Sequence, residues 1–94
     1  MRTAQVVQPH PGGMGGTQRL YRFANGYGAS VVQTPFSYGG GDGQWELAVI
    51  RYEAEDSEEF SIDYETEITD DVLGHLSEDE VDELLERIEA LTAR

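Results

Sequence analysis

The sequence contains no cysteine and no lysine, only two histidines and three prolines, and no acidic residue before Asp42. Without cysteine there is no disulfide framework, no thiol nucleophile and no thiolate metal site. His10 and His75 stand far apart and form no metal-ligand spacing, so neither a metal nor a cofactor is expected. The longest apolar run covers the four residues 47–50, far below the roughly 20 that span a bilayer. Nothing in the chain reads as a signal peptide, so a membrane is not an expected partner. Six arginines against nineteen acids leave a net charge of −13, which opposes direct binding of duplex nucleic acid, since that affinity comes from cations on phosphates. Ninety-four residues allow one domain with a modest core.

What is present is divided unevenly. Residues 1–41 carry Arg2, Arg19 and Arg22 and no acid, a charge of +3. Residues 42–94 carry all nineteen acids with Arg51, Arg87 and Arg94, a charge of −16. Ten of the eleven glycines lie at or before Gly43. Such asymmetry marks two distinct surfaces and hints at an interaction.

The pattern predicts an α+β fold: an antiparallel meander of about four strands with a C-terminal amphipathic helix packed on one face. Residues 1–17 read as a flexible Gly/Pro-rich tail, with a short strand conceivable over residues 3–8, and residues 18–94 as the single domain. Residues 17–24 and 27–34 read as strands joined by Asn25-Gly26, a pair suited to a type I′ turn. Residues 35–43 form a loop with four glycines and the aromatics Phe36 and Tyr38. Residues 44–52 carry apolar side chains on both faces, as a central strand does. Residues 53–58 make an acidic turn. Residues 59–65 then alternate, with Phe60, Ile62 and Tyr64 expected inward and Ser61, Asp63 and Glu65 outward. Thr69 is expected to cap a short helical turn carrying Val72, Leu73 and Leu76 and ended by Gly74. Ser77 through Glu80 make a capping box, and Val81, Leu84, Leu85, Ile88 and Leu91 form one apolar stripe. That stripe is expected to pack on the face bearing Trp45, Phe60, Ile62 and Tyr64.

The chemistry of catalysis is missing from this pattern. Acid/base work needs a carboxyl buried enough to raise its pKa, whereas the acids fall mostly at outward positions. No serine or threonine stands beside a candidate base, and no triad can be drawn. An enzyme is therefore not expected. Two binding surfaces remain. Arg19, Arg22, Tyr27, Phe36 and Tyr38 combine cations and rings suited to a nucleotide-like anion. Glu55, Asp56, Glu58, Glu59, Asp63, Glu65, Asp79, Asp82 and Glu86 present carboxylates that steer a basic protein surface toward them. The same acids can serve solubility alone.

The run Tyr21-Arg22-Phe23-Ala24-Asn25-Gly26-Tyr27-Gly28-Ala29-Ser30-Val31-Val32 resembles a family of small uncharacterised proteins encoded by bacteriophages and prophages of actinobacteria. Gly43-Gln44-Trp45-Glu46-Leu47-Ala48-Val49-Ile50 and Ile68-Thr69-Asp70-Asp71-Val72-Leu73-Gly74 carry the same resemblance, which covers residues 19 to 91. These are turn and core residues, so they indicate kinship rather than chemistry, and no functional residue is carried over. The resemblance implies a protein that acts by binding in the cytoplasm of a bacterial host. The leading expectation is a non-catalytic acidic protein that engages a host protein with a basic surface, in host takeover or anti-defence. A small-ligand binder and a minor virion protein are the alternatives. The two-sided central strand and exposed aromatics also suggest a homodimer.

Overall fold

The computed structural model describes residues 2–9, 15–33, 43–54, 56–66, 68 and 72–92. Six strands and one helix follow in order: β1 (Val6–Pro9), β2 (Thr17–Arg22), β3 (Tyr27–Gln33), β4 (Trp45–Tyr52), β5 (Phe60–Ile62), β6 (Leu73–Leu76) and α1 (Glu78–Glu89). All six strands join one antiparallel sheet in the order β1-β2-β3-β4-β5, with β6 also paired to β4. The expected α+β meander with its C-terminal helix is what forms, with two more strands than expected.

The extra strands come from two segments whose sequences are poor strand signals. Val6 through Pro9 pair with Leu20 through Thr17, so a strand overlapping the one allowed over residues 3–8 forms and the sheet begins inside the segment otherwise expected to be a flexible tail. Where the sequence predicts a short helical turn ended by Gly74, Leu73–Leu76 is a strand. The i, i+3 spacing of Leu73 and Leu76 is helical and enters a strand only through an irregularity, so the deciding factor is tertiary. β5 covers β4 only from Ile50 to Tyr52, leaving backbone groups near Trp45 and Leu47 that need partners. β6 supplies them, pairing Leu47 with Leu73 and Trp45 with Leu76. One more residue lies between the β6 partners than between those of β4, and His75 absorbs it at φ 57. Thr69, Asp70 and Asp71, expected to open that helical turn, lie outside the described residues.

The β2–β3 turn also differs in type. Gly26 has φ 88, whereas Asn25 has no positive φ, so this is not a type I′ turn. The amide of Phe23 donates to the Tyr27 carbonyl and that of Gly26 to the Phe23 carbonyl. This is the three-residue loop that ends on a left-handed glycine.

The core lies between one sheet face and α1. Tyr21, Phe23, Tyr27, Ala29, Val31, Trp45, Leu47, Val49 and Leu76 meet Val81, Leu85 and Ile88 of the helix. These three helical residues are wholly buried, each stabilising by about 1.5–3 kcal/mol through burial. Leu84 and Leu91 flank the stripe.

Phe60, Ile62 and Tyr64 do not join this core, contrary to expectation. Phe60 pairs with Tyr52 and Ile62 with Ile50, and paired residues share a face. In β4 that face is opposite Trp45, Leu47 and Val49. Ile62 is accordingly 44% exposed and Tyr64 48%. On this second face Ile50 is buried and Gln18 links two neighbours. Gln18 accepts from the Gln8 amide at 2.7 Å and donates to the Ser30 hydroxyl at 3.0 Å.

Candidate functional site

The first turn of α1 holds Glu78, Asp79 and Glu80, where the helix dipole favours acids. Ser77 accepts from the Glu80 amide at 3.2 Å, and the Glu80 carboxylate accepts from the Ser77 amide at 3.1 Å. The expected capping box is therefore closed. Beyond it the buried stripe forces the acids outward. Asp79, Glu83, Glu86 and Glu89 are exposed, and Asp82 is half-buried. Asp82, Glu86 and Glu89 follow the i, i+4, i+7 spacing of one helix side.

Arg2 lies along this row. Its backbone amide donates to Asp82 Oδ1 at 2.6 Å, and its guanidinium pairs with Glu89 Oε1 at 3.1 Å. Arg2 and the four acids Asp82, Glu83, Glu86 and Glu89 line one shallow groove. The guanidinium carbon also stands 5.4 Å from the Phe23 ring centroid, and the Arg2 carbonyl accepts from the Tyr21 hydroxyl at 2.7 Å. Burial raises the Tyr21 hydroxyl above its ordinary pKa, and the neighbouring Arg19 and Arg2 partly offset this.

The remaining expected acids divide. Asp56, Glu58 and Glu59 are exposed in the β4–β5 turn, and Glu65 is exposed after β5. Glu55 lies outside the described residues. Asp63 corrects the expectation of an outward carboxylate, because only 8% of it is exposed. Its amide donates to the Val49 carbonyl at 2.8 Å, and its Oδ1 accepts from the Glu65 amide at 2.9 Å. The carboxylate thus closes a turn at the end of β5 instead of facing a partner. Glu53 and Glu89 line one cavity of about 810 Å³, so the β4–β5 turn and the C-terminal end of α1 meet at the same end of the molecule.

The three described residues of the aromatic and arginine surface, Arg19, Arg22 and Tyr27, are not brought together. Arg19 and Arg22 occupy opposite faces of β2. Arg19 stands 5.5 Å from the Trp45 ring on the core side. Arg22 stands 4.2 Å from Tyr52 on the other side, where its guanidinium donates to the Ser57 and Ala54 carbonyls at 2.6 and 2.7 Å. Tyr27 is part of the core, with 7% exposure. Phe36 and Tyr38 lie outside the described residues. Burial raises the pKa of Tyr52, against the pull of Arg22.

No family model, curated protein or solved structure matches the chain.

Two contributors escaped the sequence reading. Arg2 falls in the segment that the sequence predicts as a tail, although it is the only arginine of residues 1–17 and acids fill the other half of the chain. In the sequence Asn25 signals only a turn. Its Nδ2 donates to the carbonyls of Ile88, Glu89 and Leu91 at 2.9, 3.2 and 3.0 Å, and its Oδ1 accepts from the Tyr27 amide at 3.0 Å. The hairpin tip therefore caps the C-terminus of α1 and fixes where the acidic row sits. No local signal in the sequence announces such a contact across more than sixty residues.

Proposed function

We propose that this chain is a non-catalytic binding protein that docks a basic protein surface on the acidic side of α1, with the β4–β5 turn as a secondary contact. The observation that carries the reading is the binding of Arg2. The helix receives a backbone amide on Asp82 and a guanidinium on Glu89, which is the chemistry a partner's basic segment would use. Asp79, Glu83 and Glu86 are exposed beside it and available to further cations. The resemblance to actinobacteriophage proteins supports a host protein as the partner, in takeover or anti-defence.

The reading is tested by affinity capture from an actinobacterial lysate at about 50 and about 500 mM salt, between which the Debye length shortens roughly threefold. A basic protein should be retained at the lower salt and released at the higher. Neutralising Asp79→Asn, Glu83→Gln and Glu86→Gln together should abolish its retention. Capture unaffected by both changes would overturn the proposal.

A further inference from the structure

The sheet has two ends, and they are finished differently. At one end β5 and β6 share the outer edge of β4, and no further strand lies beside them among the described residues, but β5 is flanked by the acids Glu58, Glu59 and Asp63 and β6 runs directly into α1. At the opposite end the outer edge of β1 meets no further strand among the described residues. Natural sheets protect such an edge with lysines, inward charges, bulges or prolines. β1 has only Pro9, at its last position. Its Val6 is 40% exposed and its Val7 57%, on opposite faces of the strand.

Charge selects the occupant. Residues 3–9 carry no ionisable side chain, in a chain whose net charge is −13. Two copies repel wherever their acidic parts approach, and this edge is where they can meet without doing so. α1 packs over β3, β4 and β6. If two β1 strands pair, five strand spacings separate one β3 from the other, about 24 Å at roughly 4.8 Å each. That is more than twice the Debye length of about 8–10 Å at ordinary salt, so the parts of the two helices packed over β3 are screened from one another, and on the side nearer β1 Glu89 is paired with Arg2.

We infer that two copies of this chain associate through β1, pairing antiparallel about a twofold axis perpendicular to the sheet to form one continuous twelve-stranded sheet. Such an axis keeps each face on its own side, so Val7 meets the partner copy's Val7 or Val6 meets its Val6. Both α1 helices then project from the same face, leaving their acidic rows open. This inference is independent of the proposed docking of a basic protein. Four residues per strand bury little area, so the dimer is a reversible one at the weak end of specific interfaces.

The absence of cysteine makes the test clean. Single variants Val6→Cys, Val7→Cys and, as an exposed control on α1, Glu83→Cys are oxidised in parallel. One of the two valine variants should form covalent dimer at least about tenfold faster than the control, because cross-strand Cβ atoms stand about 4.5–5.5 Å apart. Sedimentation of the unmodified chain from about 10 µM to about 1 mM should show reversible dimer, and Val6→Lys with Val7→Lys should raise its Kd at least tenfold. Circular dichroism verifies that the lysine variant is folded, as expected for two exposed positions. A chain that stays monomeric throughout, a dimer indifferent to both lysines, or control cross-linking as fast as that of the faster valine variant would overturn the inference.

Discussion

Replacing Asn25 separates a turn residue from a helix cap. In the structure its two amide hydrogens are shared among three carbonyls at the end of α1, and its oxygen accepts the Tyr27 amide. Two hydrogens cannot make three full bonds, so the count is two donor interactions and one acceptor interaction. At about 0.5–1.5 kcal/mol net each, Asn25→Ala should cost about 2–3 kcal/mol. The stability of a domain this size is roughly 5–14 kcal/mol, so the variant remains folded. Its melting temperature should fall by roughly 10–20 °C, at about 4–8 °C per kcal/mol. Asn25→Asp is the sharper probe. Aspartate is as good a turn residue and keeps the acceptor for Tyr27. It also discards both donors and sets a carboxylate against the negative end of the helix and close to Glu89. The cap account therefore predicts that aspartate is at least as damaging as alanine, with part of the loss recovered when acid protonates it. Urea denaturation of the three proteins measures this directly. An aspartate variant as stable as the parent, or an alanine variant within about 0.5 kcal/mol of it, would refute the reasoning.

Other perturbations have definite expected outcomes. A methyl on Gly28 would run into the Tyr21 carbonyl and press on the Tyr52 ring, so Gly28→Ala should destabilise by about 1–3 kcal/mol in urea. His75 holds φ 57 at the β6 irregularity, so His75→Gly should be neutral or raise stability by up to about 1 kcal/mol, while His75→Val should lower it. Leu85→Ala removes a wholly buried side chain of the helical stripe and should cost about 2–5 kcal/mol in the same assay. Tyr21 and Tyr52 are raised above their ordinary pKa of 10.0 chiefly by burial. Folding thus favours their neutral forms, a contribution fully present below that pH and lost as pH rises through the folded-state pKa values. Tyr21 and Tyr52 should both titrate late in tyrosinate absorbance, and Tyr52→Phe should remove one late-titrating group.

The parts legible in the sequence were those with local periodicity. The capping box at Ser77 and the stripe of Val81, Leu85 and Ile88 follow from spacing alone, and the central strand follows from its two apolar faces. The parts that escaped depend on what lies across the sheet. Leu73 to Leu76 became a strand because β4 had an uncovered stretch of edge. The apolar residues of β5 turned away from the helix because their register placed them beside Tyr52 and Ile50. A period of two shows that Phe60 and Ile62 share a face, and it is silent on which face meets the helix. Asp63 sat in the outward half of that alternation, and the turn it closes buried it. At the candidate site the exposed acids of α1 were readable as the complement of the stripe. The capture of Arg2 was not, since it joins residues eighty positions apart.

The claim that the acidic side of α1 is the docking surface is tested most directly by a titration that reports on every backbone amide. Isotope-labelled chain, titrated with the captured basic protein at low salt, should show its largest chemical-shift changes among residues 78–89 and at Arg2, with lesser changes in the β4–β5 turn. Those changes should vanish at high salt. Changes centred on β5 and the sheet face without the helix, with α1 unmoved, would contradict the account.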